Sequence, residues 1–529
     1  MKNFTRIKNL FLLLIGLSLI LSSCNRPSKS LTLIPKTSNL VMVFNPKALI
    51  EKGELDKLMD DPNFTTIIND IKSEDPASGK LMDKIIKDPT ETGINLKSDI
   101  FFYHLSQTPN TNYFCLSMEL NDNNKFNDFI FEANQTADYN PQIVKNISTS
   151  YCKVDDNVVI AWDEDKAILI FATDDISSEK IDFQVTLLFA LNENDQISKN
   201  EEFNKFYKDK KDIGIWGSTN IIKSVPDYQE LIKNLKYNIF DSYFSGNVTF
   251  EKGEIVSTFN FTPNEEMKKM YEKYGNKPIQ FNEKILNYFP ENSLGFFAAS
   301  SNMNAAVAAW DELYATNQEF IDLEKNLGIS FKELFAGLGG SFMINLMGGA
   351  EIILPNSDEP VTLPLFGVAF DLKNSQFLDK IVTLIPKEMV KEHPDFKEVA
   401  TPIGISLYYQ YNNNMCLITN DLTTISGFKS GSYGPKNMST TKFASSIKKY
   451  SAYGYMELNT TKYPQKWFTN MGEEGTKVMN SWDQFGDNFE IYMTDSYSCT
   501  MKMKTMKSDE NSLKGLIRTI ITINVIANI

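Results

Sequence analysis

The chain has 529 residues, with 67 acidic and 53 basic side chains and a formal net charge of −14 at pH 7. A chain of this length exceeds one ordinary hydrophobic core, so we expect two or more domains. Nucleic acids demand basic patches on their partners, so the acidic balance argues against nucleic acid and against anionic lipid as ligands of the protein surface.

The N-terminus has the pattern of a bacterial lipoprotein signal. Three basic residues precede the apolar run at 10–21, which is shorter than the roughly 20 residues of a comfortable membrane span and fits a secretory segment. The run ends in Leu-Ser-Ser followed by Cys24. We therefore expect residues 1–23 to be a signal peptide and Cys24 to carry acyl chains that anchor the protein stably. An uncleaved anchor helix with an incidental cysteine is the alternative.

A short polar tether is expected at residues 24–30, before apolar patterning begins. Its six residues after the cysteine reach about 20 Å at roughly 3.3–3.6 Å each, which holds the body close to the bilayer. The tether lacks an acidic run that resembles surface-export signals. We therefore expect a cell-envelope location on the outer membrane, facing the periplasm, with exposure at the cell surface as the alternative.

Beyond the tether, the expected elements recur in one order at an offset of about 250 residues, far longer than the roughly 20–50 residues of a solenoid repeat. The clearest match is Gly-Ile-Asn-Leu-Lys at 93–97 and Gly-Ile-Ser-Phe-Lys at 328–332, each after an amphipathic helix. Glycine suits the residue after a helix because the left-handed conformation costs it little. Gly93 and Gly328 are therefore interpreted as structural punctuation.

Two expected hairpins extend this match between the halves of the chain. The turns at 163–166 and 412–414 each join two strand-like runs. Strands joined mostly as hairpins, with interspersed helices, predict an α+β fold with mainly antiparallel sheets and packed helices. We predict two tandem, internally duplicated lobes at 31–275 and 276–529.

Four cysteines remain after the predicted lipidation site. An exported compartment permits disulfides, but none of the four has CxxC spacing and each lies in a strand-like run. Buried free thiols are the first interpretation, with a bridge between the first two as the alternative, and the spacings give no zinc signature. These residues are Cys115, Cys152, Cys416 and Cys499.

Histidine-dependent catalysis has little support in the sequence. The chain has two histidines, His104 in a strand-like run and His393 in a charged loop, and a Ser-His-Asp or Cys-His system would need one of them. The hydrolase, zinc-protease and phosphate-loop motifs are absent. The glycine-rich segment 337–340 lacks the third Rossmann glycine and is interpreted as a tight turn. We predict no catalytic residue, no cofactor and no metal.

Neighbouring carboxylates and aromatic runs are the remaining candidates. Two carboxylates across a cleft can hydrolyse glycosides, but sequence neighbours are more typical of solvated turns. The segment 121–124 lacks the glycine and glutamate of a calcium loop and is expected to cap a helix. The aromatics at 408–411 and 467–468 could stack on a sugar, but strand alternation directs half of such residues to a core. The acidic pairs are Asp60-Asp61, Asp155-Asp156, Asp163-Glu164-Asp165 and Asp174-Asp175.

Several of these segments resemble one known family. The Leu-Ser-Ser-Cys segment, the Ile34-Pro35 opening with residues 40–47, the 93–97 element and the total length are similar to uncharacterised Bacteroidota lipoproteins classed as domain of unknown function 4836. The resemblance covers essentially the whole mature chain. It implies an envelope location and an architecture, and it implies no known activity.

The predicted function is a membrane-anchored envelope lipoprotein that binds or scaffolds without catalysis. Its expected partners are the membrane, through the lipid on Cys24, and an envelope protein or glycan. One alternative is a glycan- or peptide-processing enzyme that uses paired carboxylates. Another is a nutrient-capturing surface lipoprotein, which needs a cluster of exposed aromatic side chains.

Overall fold

The computed structural model contains two compact units. The described residues of unit 1 fall within 28–225, 239–264 and 507–527, and those of unit 2 fall within 237–238 and 265–506. Both units combine helices with antiparallel strands, which confirms the predicted α+β class. The structure describes residues 28–108, 111–136, 143–145, 148–155, 157–173, 178–225, 237–275, 279–313, 317–353, 359–401, 404–469 and 471–527.

The described residues of unit 1 form ten strands that pair antiparallel. They are β1 (Leu40–Phe44), β2 (Ile100–Thr108), β3 (Thr111–Glu119), β4 (Val144–Lys145), β5 (Ser150–Asp155), β6 (Val158–Trp162), β7 (Lys166–Ala172), β8 (Ile213–Ser218), β9 (Tyr243–Glu251) and β10 (Glu254–Thr262). Their spatial order is β10-β9-β8-β1-β2-β3-β7-β6-β5-β4.

The described residues of unit 2 also form ten antiparallel strands. They are β11 (Gly295–Ser300), β12 (Leu338–Ile353), β13 (Pro360–Leu372), β14 (Val390–Glu392), β15 (Lys397–Ala400), β16 (Ser406–Tyr411), β17 (Met415–Thr419), β18 (Ala452–Glu457), β19 (Gly486–Met493) and β20 (Ser498–Thr505). Their spatial order is β20-β19-β18-β11-β12-β13-β17-β16-β15-β14. This is the order of unit 1 with ten added to every number.

Hydrogen-bond register defines equivalent positions in the two sheets. Glu119 lies opposite the first residue after the turn between β6 and β7, and Asp371 lies opposite the first residue after the turn between β16 and β17. Four residues earlier along β3 and β13, the partners on β2 and β12 are Tyr103 and Asn345. We call positions related in this way register-equivalent.

The helices of unit 1 cover both faces of its sheet. They are α1 (Pro46–Gly53), α2 (Pro62–Glu74), α3 (Pro76–Lys87), α4 (Asn123–Thr136), α5 (Ser178–Phe189), α6 (Glu201–Asp209) and, near the C-terminus, α15 (Ser512–Ala527), with 3-10 turns at Lys29–Leu33, Leu55–Asp60, Pro89–Thr92, Glu193–Asp195, Ile197–Lys199 and Thr219–Ser224. Successive strand residues point to opposite faces. Ile168 and Ile170 therefore join one core cluster, while Leu169 joins the other.

The helices of unit 2 are distributed in the same way along its part of the chain. They are α7 (Glu265–Tyr274), α8 (Met303–Leu313), α9 (Gln318–Leu327), α10 (Phe331–Gly337), α11 (Gln376–Thr383), α12 (Leu422–Ser426), α13 (Phe443–Lys449) and α14 (Gly472–Asp483), with 3-10 turns at Glu283–Tyr288, Lys387–Met389, Met438–Thr440, Thr460–Lys462 and Gln465–Trp467. The larger core cluster of unit 2 is built around Phe289, Phe296 and Met343.

Three early helices begin with the same local chemistry. Asn45, Asp61 and Asp75 each cap a helix whose first residue is proline, and each side chain accepts backbone N–H groups of the first turn. Proline has no N–H to leave unpaired and its φ suits a first turn, while the cap satisfies donors that the helix leaves free. Gly93 follows the 3-10 turn Pro89–Thr92 and Gly328 follows α9, and their φ of +71° and +65° lie in the left-handed conformation expected of them.

The two compact units divide the chain differently from the predicted lobes at 31–275 and 276–529, because of the C-terminal helix. Residues 507–527, which contain α15, belong to unit 1, and residues 265–274, which form α7, belong to unit 2. Asn511 and Ser512 donate side-chain hydrogen bonds to carbonyls of Phe250 and Glu254, and Lys514 pairs with Glu54 at 2.9 Å. The helix that follows the last strand of unit 2 thus completes unit 1.

Within the described residues, no helix has both the length and the apolar character that crossing a bilayer requires.

Candidate functional site

The described chain starts at Ser28, four positions after the predicted lipid site. Its first residues form a polar site with several side-chain hydrogen bonds. Cys24 and the predicted signal peptide, 1–23, lie outside the described residues. Ser28 and Ser30 were predicted to belong to the tether, yet they are buried in unit 1, with 4% and 0% exposure. The residues between the predicted lipid site and the packed chain are therefore 25–27.

One carboxylate holds this starting segment. Glu119, the last residue of β3, accepts hydrogen bonds from the backbone N–H of Lys29 at 2.8 Å and from the Ser28 hydroxyl at 3.2 Å. It also accepts from the Asn95 amide at 2.9 Å and the Ser98 hydroxyl at 3.1 Å. Hydrogen bonds to an ionised carboxylate are stronger than neutral ones. We call these five residues the N-terminal clamp.

Neighbouring groups strengthen the N-terminal clamp. The hydroxyls of Ser28 and Ser30 are 2.7 Å apart, and the Lys29 Nζ lies 2.5 Å from Asp165 Oδ1. The lysine and aspartate side chains are 57% and 55% exposed, and exposed ion pairs contribute little stability. The strength of the N-terminal clamp therefore comes from the bonds to Glu119.

A half-buried tyrosine borders the N-terminal clamp. The Tyr207 hydroxyl donates to Asp99 Oδ2 at 2.6 Å. Burial is the largest cause that raises the pKa of this phenol, Asp99 raises it further, and a backbone hydrogen bond with Ser28 lowers it. Since the phenol stays protonated near neutral pH, it remains a hydrogen-bond donor beside the starting segment.

A similar arrangement occurs at the register-equivalent position of unit 2. Asp371 accepts hydrogen bonds from the Asn282 amide at 3.3 Å and from the Ser341 backbone N–H at 2.8 Å. Asn282 caps the 3-10 turn Glu283–Tyr288, just as Ser28 precedes the 3-10 turn Lys29–Leu33. In both units a carboxylate at the end of the third strand holds the residue before the first 3-10 turn.

An open polar groove of about 590 Å³ lies beside the N-terminal clamp. Three of its four carboxylates have structural partners: Glu119 belongs to the N-terminal clamp, Asp165 pairs with Lys29, and Asp122 accepts the N–H groups of Asn124 and Lys125. Asp122 therefore caps α4, as expected for the segment 121–124. Among the described residues, no group of three or more His, Cys, Asp or Glu side chains is placed to hold a metal ion. The groove is lined by Lys29, Glu119, Leu120, Asn121, Asp122, Asn123, Asn124, Glu164 and Asp165.

The two histidines have ordinary packing and pairing partners. His104 is buried, its Nε2 lies 3.1 Å from the Asn112 amide oxygen, and burial lowers the pKa of its imidazole. His393 lies 2.7 Å from Glu398. The pKa of the Glu398 carboxyl is lowered first by the Ser406 hydroxyl and then by His393. His104 thus contacts an amide in unit 1, and His393 contacts a carboxylate in unit 2.

The four described cysteines are free thiols. Cys115, Cys152 and Cys416 are buried and Cys499 is half-buried. Burial raises the pKa of Cys152 to about 11 and that of Cys416 to about 12. Since the thiolate is the reactive form, these side chains are inert near neutral pH.

The predicted acidic pairs are local structural features where the structure describes them. Asp61 caps α2 by accepting two backbone N–H groups, and Asp163 accepts the N–H groups of Asp165 and Lys166 inside the turn between β6 and β7. Asp156 and the pair at 174–175 lie outside the described residues.

The aromatic runs form packing contacts. Tyr409 is 7% exposed, and the hydroxyl of half-buried Tyr411 donates to Asp379 at 2.7 Å. Trp467 and Phe468 pack against Tyr463, with ring centroids 5.8 and 6.3 Å away. Tyr409 is therefore a core residue, as expected, whereas Tyr411, Trp467 and Phe468 are half-buried and make local contacts.

Sequence reasoning missed the central residue of the N-terminal clamp. Glu119 ends an apolar strand, and nothing in that local pattern distinguishes it from a solvated strand end. Its partner Ser28 is 91 residues away along the chain. A short tether that contains only small and polar residues is compatible with docking, but this composition does not predict it.

Comparisons with known proteins identify a family and two distant structures. A family model described as "Domain of unknown function (DUF4836)" matches residues 31–513. No curated protein matches the sequence. The solved structure "Structure of crystal form IV of TP0453" matches at 11% identity over 44% of this chain and 80% of that chain, with a TM-score of 0.26. "Structure of crystal form I of TP0453" matches at 10% identity over 48% and 82%, with a TM-score of 0.25.

Proposed function

We propose that this chain, which belongs to the DUF4836 family, is a lipid-anchored cell-envelope protein that binds or scaffolds rather than catalyses. The observation that carries the proposal is the N-terminal clamp, because it starts the packed body at Ser28, four positions after Cys24. A folded body that begins so close to a lipoprotein-type cysteine is suited to a membrane surface. The proposed location is the outer membrane of a Bacteroidota cell, facing the periplasm.

We infer that the two units arose by internal duplication. The support is the shared order of ten strands and the register-equivalent carboxylates Glu119 and Asp371, each holding the residue before a 3-10 turn. Two related sheets in one anchored chain suit a protein whose role is to hold an envelope protein or glycan.

The groove chemistry favours binding over hydrolysis. A glycosidase needs two carboxylates free to act as acid and as base or nucleophile. Three of the four carboxylates that line the groove are already engaged, since Glu119 accepts four donors, Asp122 caps a helix and Asp165 pairs with a lysine. Glu164 is the fourth, and one carboxylate does not make the pair that this chemistry needs. A nutrient-capturing surface protein would instead need exposed aromatic side chains, and the run around Tyr409 is packed.

Intact-mass analysis of the membrane fraction tests the anchor. We expect the wild-type chain to lose residues 1–23 and to carry acyl mass on Cys24, and we expect Cys24→Ala to lose both changes. Cys499→Ala, at a half-buried thiol, is the matched control and should retain the lipid. A wild-type chain without acyl mass would refute the proposal.

Native cross-linking in intact envelopes tests the binding role. We expect the lipidated wild-type protein to cross-link to an envelope protein or to glycan. Recovery of the wild-type protein without any cross-linked envelope component would contradict a binding or scaffolding role.

A further inference from the structure

We propose that the end of unit 1 that carries the N-terminal clamp is the surface that faces the bilayer, and that Glu119 is the positioning residue that sets this orientation. The surface consists of residues 95–98, 121–124 and the turn 163–166. This inference rests on the proposed lipid at Cys24. It adds to that proposal a specific face of the protein and a residue that controls it.

The length of the leash limits how far the N-terminal clamp can lie from the membrane. From Cys24 to Ser28 the chain spans four residue steps, about 14 Å at full extension. From its first to its last residue, β7 by comparison spans six steps, about 20 Å. The leash is therefore shorter than β7, whose first residue, Lys166, is also the last residue of the 163–166 turn. With this leash, the end of β7 at Ala172 can reach the bilayer only if the strand lies parallel to the membrane surface.

The bonds to Glu119 keep the leash short. If the N-terminal clamp opened, residues 28–30 would join the leash, and the next firm attachment would be Leu31 and Leu33, which are 6% and 0% exposed. The span from Cys24 to Leu31 is seven steps, about 25 Å. That length exceeds the span of β7 and would allow either end of the strand to approach the membrane.

The chemistry of this surface fits a headgroup layer rather than hydrocarbon. The turn 163–166 presents exposed Glu164 and Asp165, the segment 121–124 presents exposed Asn121 and Asn124, and the segment 95–98 presents exposed Lys97. Charged and amide groups are costly to bury in hydrocarbon. The surface thus carries charges of both signs, which suits zwitterionic headgroups.

Energy transfer to the membrane surface tests the orientation. The full-length lipidated protein would be placed in phosphatidylcholine vesicles that carry an acceptor dye on a fraction of the headgroups. Glu164→Cys and Thr173→Cys place donor dyes at exposed sites just beyond opposite ends of β7, in a Cys499→Ser background. We expect transfer to be several-fold higher from position 164 than from position 173.

Two variants test the role of Glu119 in that difference. We expect Glu119→Ala to bring the ratio of the two transfer efficiencies close to one. Asp371→Ala removes the register-equivalent carboxylate of unit 2 and should leave the ratio at its wild-type value. Circular dichroism would establish that both variants are folded.

An insertion covers the case in which Glu119→Ala fails to fold. Six Gly and Ser residues inserted after Pro27 lengthen the leash and leave the N-terminal clamp intact, and we expect the same fall in the ratio. Equal transfer from both sites in the lipidated wild-type protein, or a ratio that survives the insertion, would overturn the orientation and leave the lipid anchor standing. Absence of acyl mass on Cys24 would overturn both.

Discussion

Unit 1 and unit 2 place ten strands in one order and fill register-equivalent positions with different side chains. Where unit 1 has Trp162 fully buried on β6, unit 2 has a half-buried tyrosine on β16. Where unit 1 has Tyr103, whose hydroxyl donates to the Leu33 carbonyl at 2.8 Å, unit 2 has Asn345. Strand order therefore depends on pairing and turns, and the same order tolerates different side chains at equivalent positions.

The helices that complete the two units also differ. α15 has 16 residues and packs into unit 1 through buried Leu513 and Ile521. α7 has ten residues, and Met267 is its buried side chain. The helix that follows the last strand of each sheet belongs to the other unit. Apolar burial drives such packing, so unit 1 should depend more on its added helix than unit 2 does.

Removal of residues 507–529 should give the largest effect on this comparison. The deletion exposes the surface of α1 and α2 under α15, where each large apolar side chain contributes about 1.5–3 kcal/mol by burial. We expect the unfolding transition of unit 1 to be lost or shifted by many degrees, while the transition of unit 2 remains. Differential scanning calorimetry would measure both. Ile520→Ser, at a site that is 49% exposed, is the control and should change little.

The second largest effect on stability should come from truncating the aromatic residues beside the two hairpin turns. Trp162 is 1% exposed, packs edge-on against Phe126 at 5.8 Å and donates to Asn127. We expect Trp162→Ala to lower the free energy of unfolding of unit 1 by about 3–5 kcal/mol. Tyr411→Ala, at the half-buried equivalent, should cost about half as much in unit 2. Urea unfolding would measure both, and equal losses would contradict the difference in burial.

The equivalent polar residues on β2 and β12 should respond in opposite directions. Asn345 is 1% exposed, and neither atom of its amide has a hydrogen-bond partner among the described residues. Asn345→Leu removes an unsatisfied buried amide and should raise the free energy of unfolding by about 1 kcal/mol. Tyr103→Phe removes a satisfied donor and should lower it by about 1 kcal/mol. Chemical denaturation of each variant would show whether the signs differ.

The smallest of these effects should be a loss of unit 1 stability at acid pH that depends on His104. Burial lowers the pKa of this imidazole below its ordinary 6.5 in the folded chain, so the unfolded chain binds more protons between the two values. The stability of unit 1 should therefore fall as pH drops below about 6.5 towards the folded pKa. His104→Leu should remove this component, measured as the wild-type minus variant difference in unfolding free energy at pH 7.5 and pH 5. A difference that does not change with pH would contradict it.

Much of the fold could be predicted because it depends on local patterns. Alternating strands around short polar turns predict antiparallel pairing, and in the structure residues 163–165 and 412–414 connect paired strands, with Lys166 already in β7. The positions of Gly93 and Gly328 follow from the ends of helical patterns, and both have positive φ. These features depend on neighbours within a few residues, so the sequence contains the needed information.

The sequence by itself determined the acidic balance, the α+β class, the family and the absence of a recognisable catalytic motif. The tertiary structure alone decided that Ser28 is buried beneath a carboxylate 91 residues away, and that the helix at Ser512–Ala527 packs into unit 1. The physical reason is distance along the chain. A hydrogen bond or an apolar contact acts over a few ångströms, and only the folded chain shows which remote residues come that close.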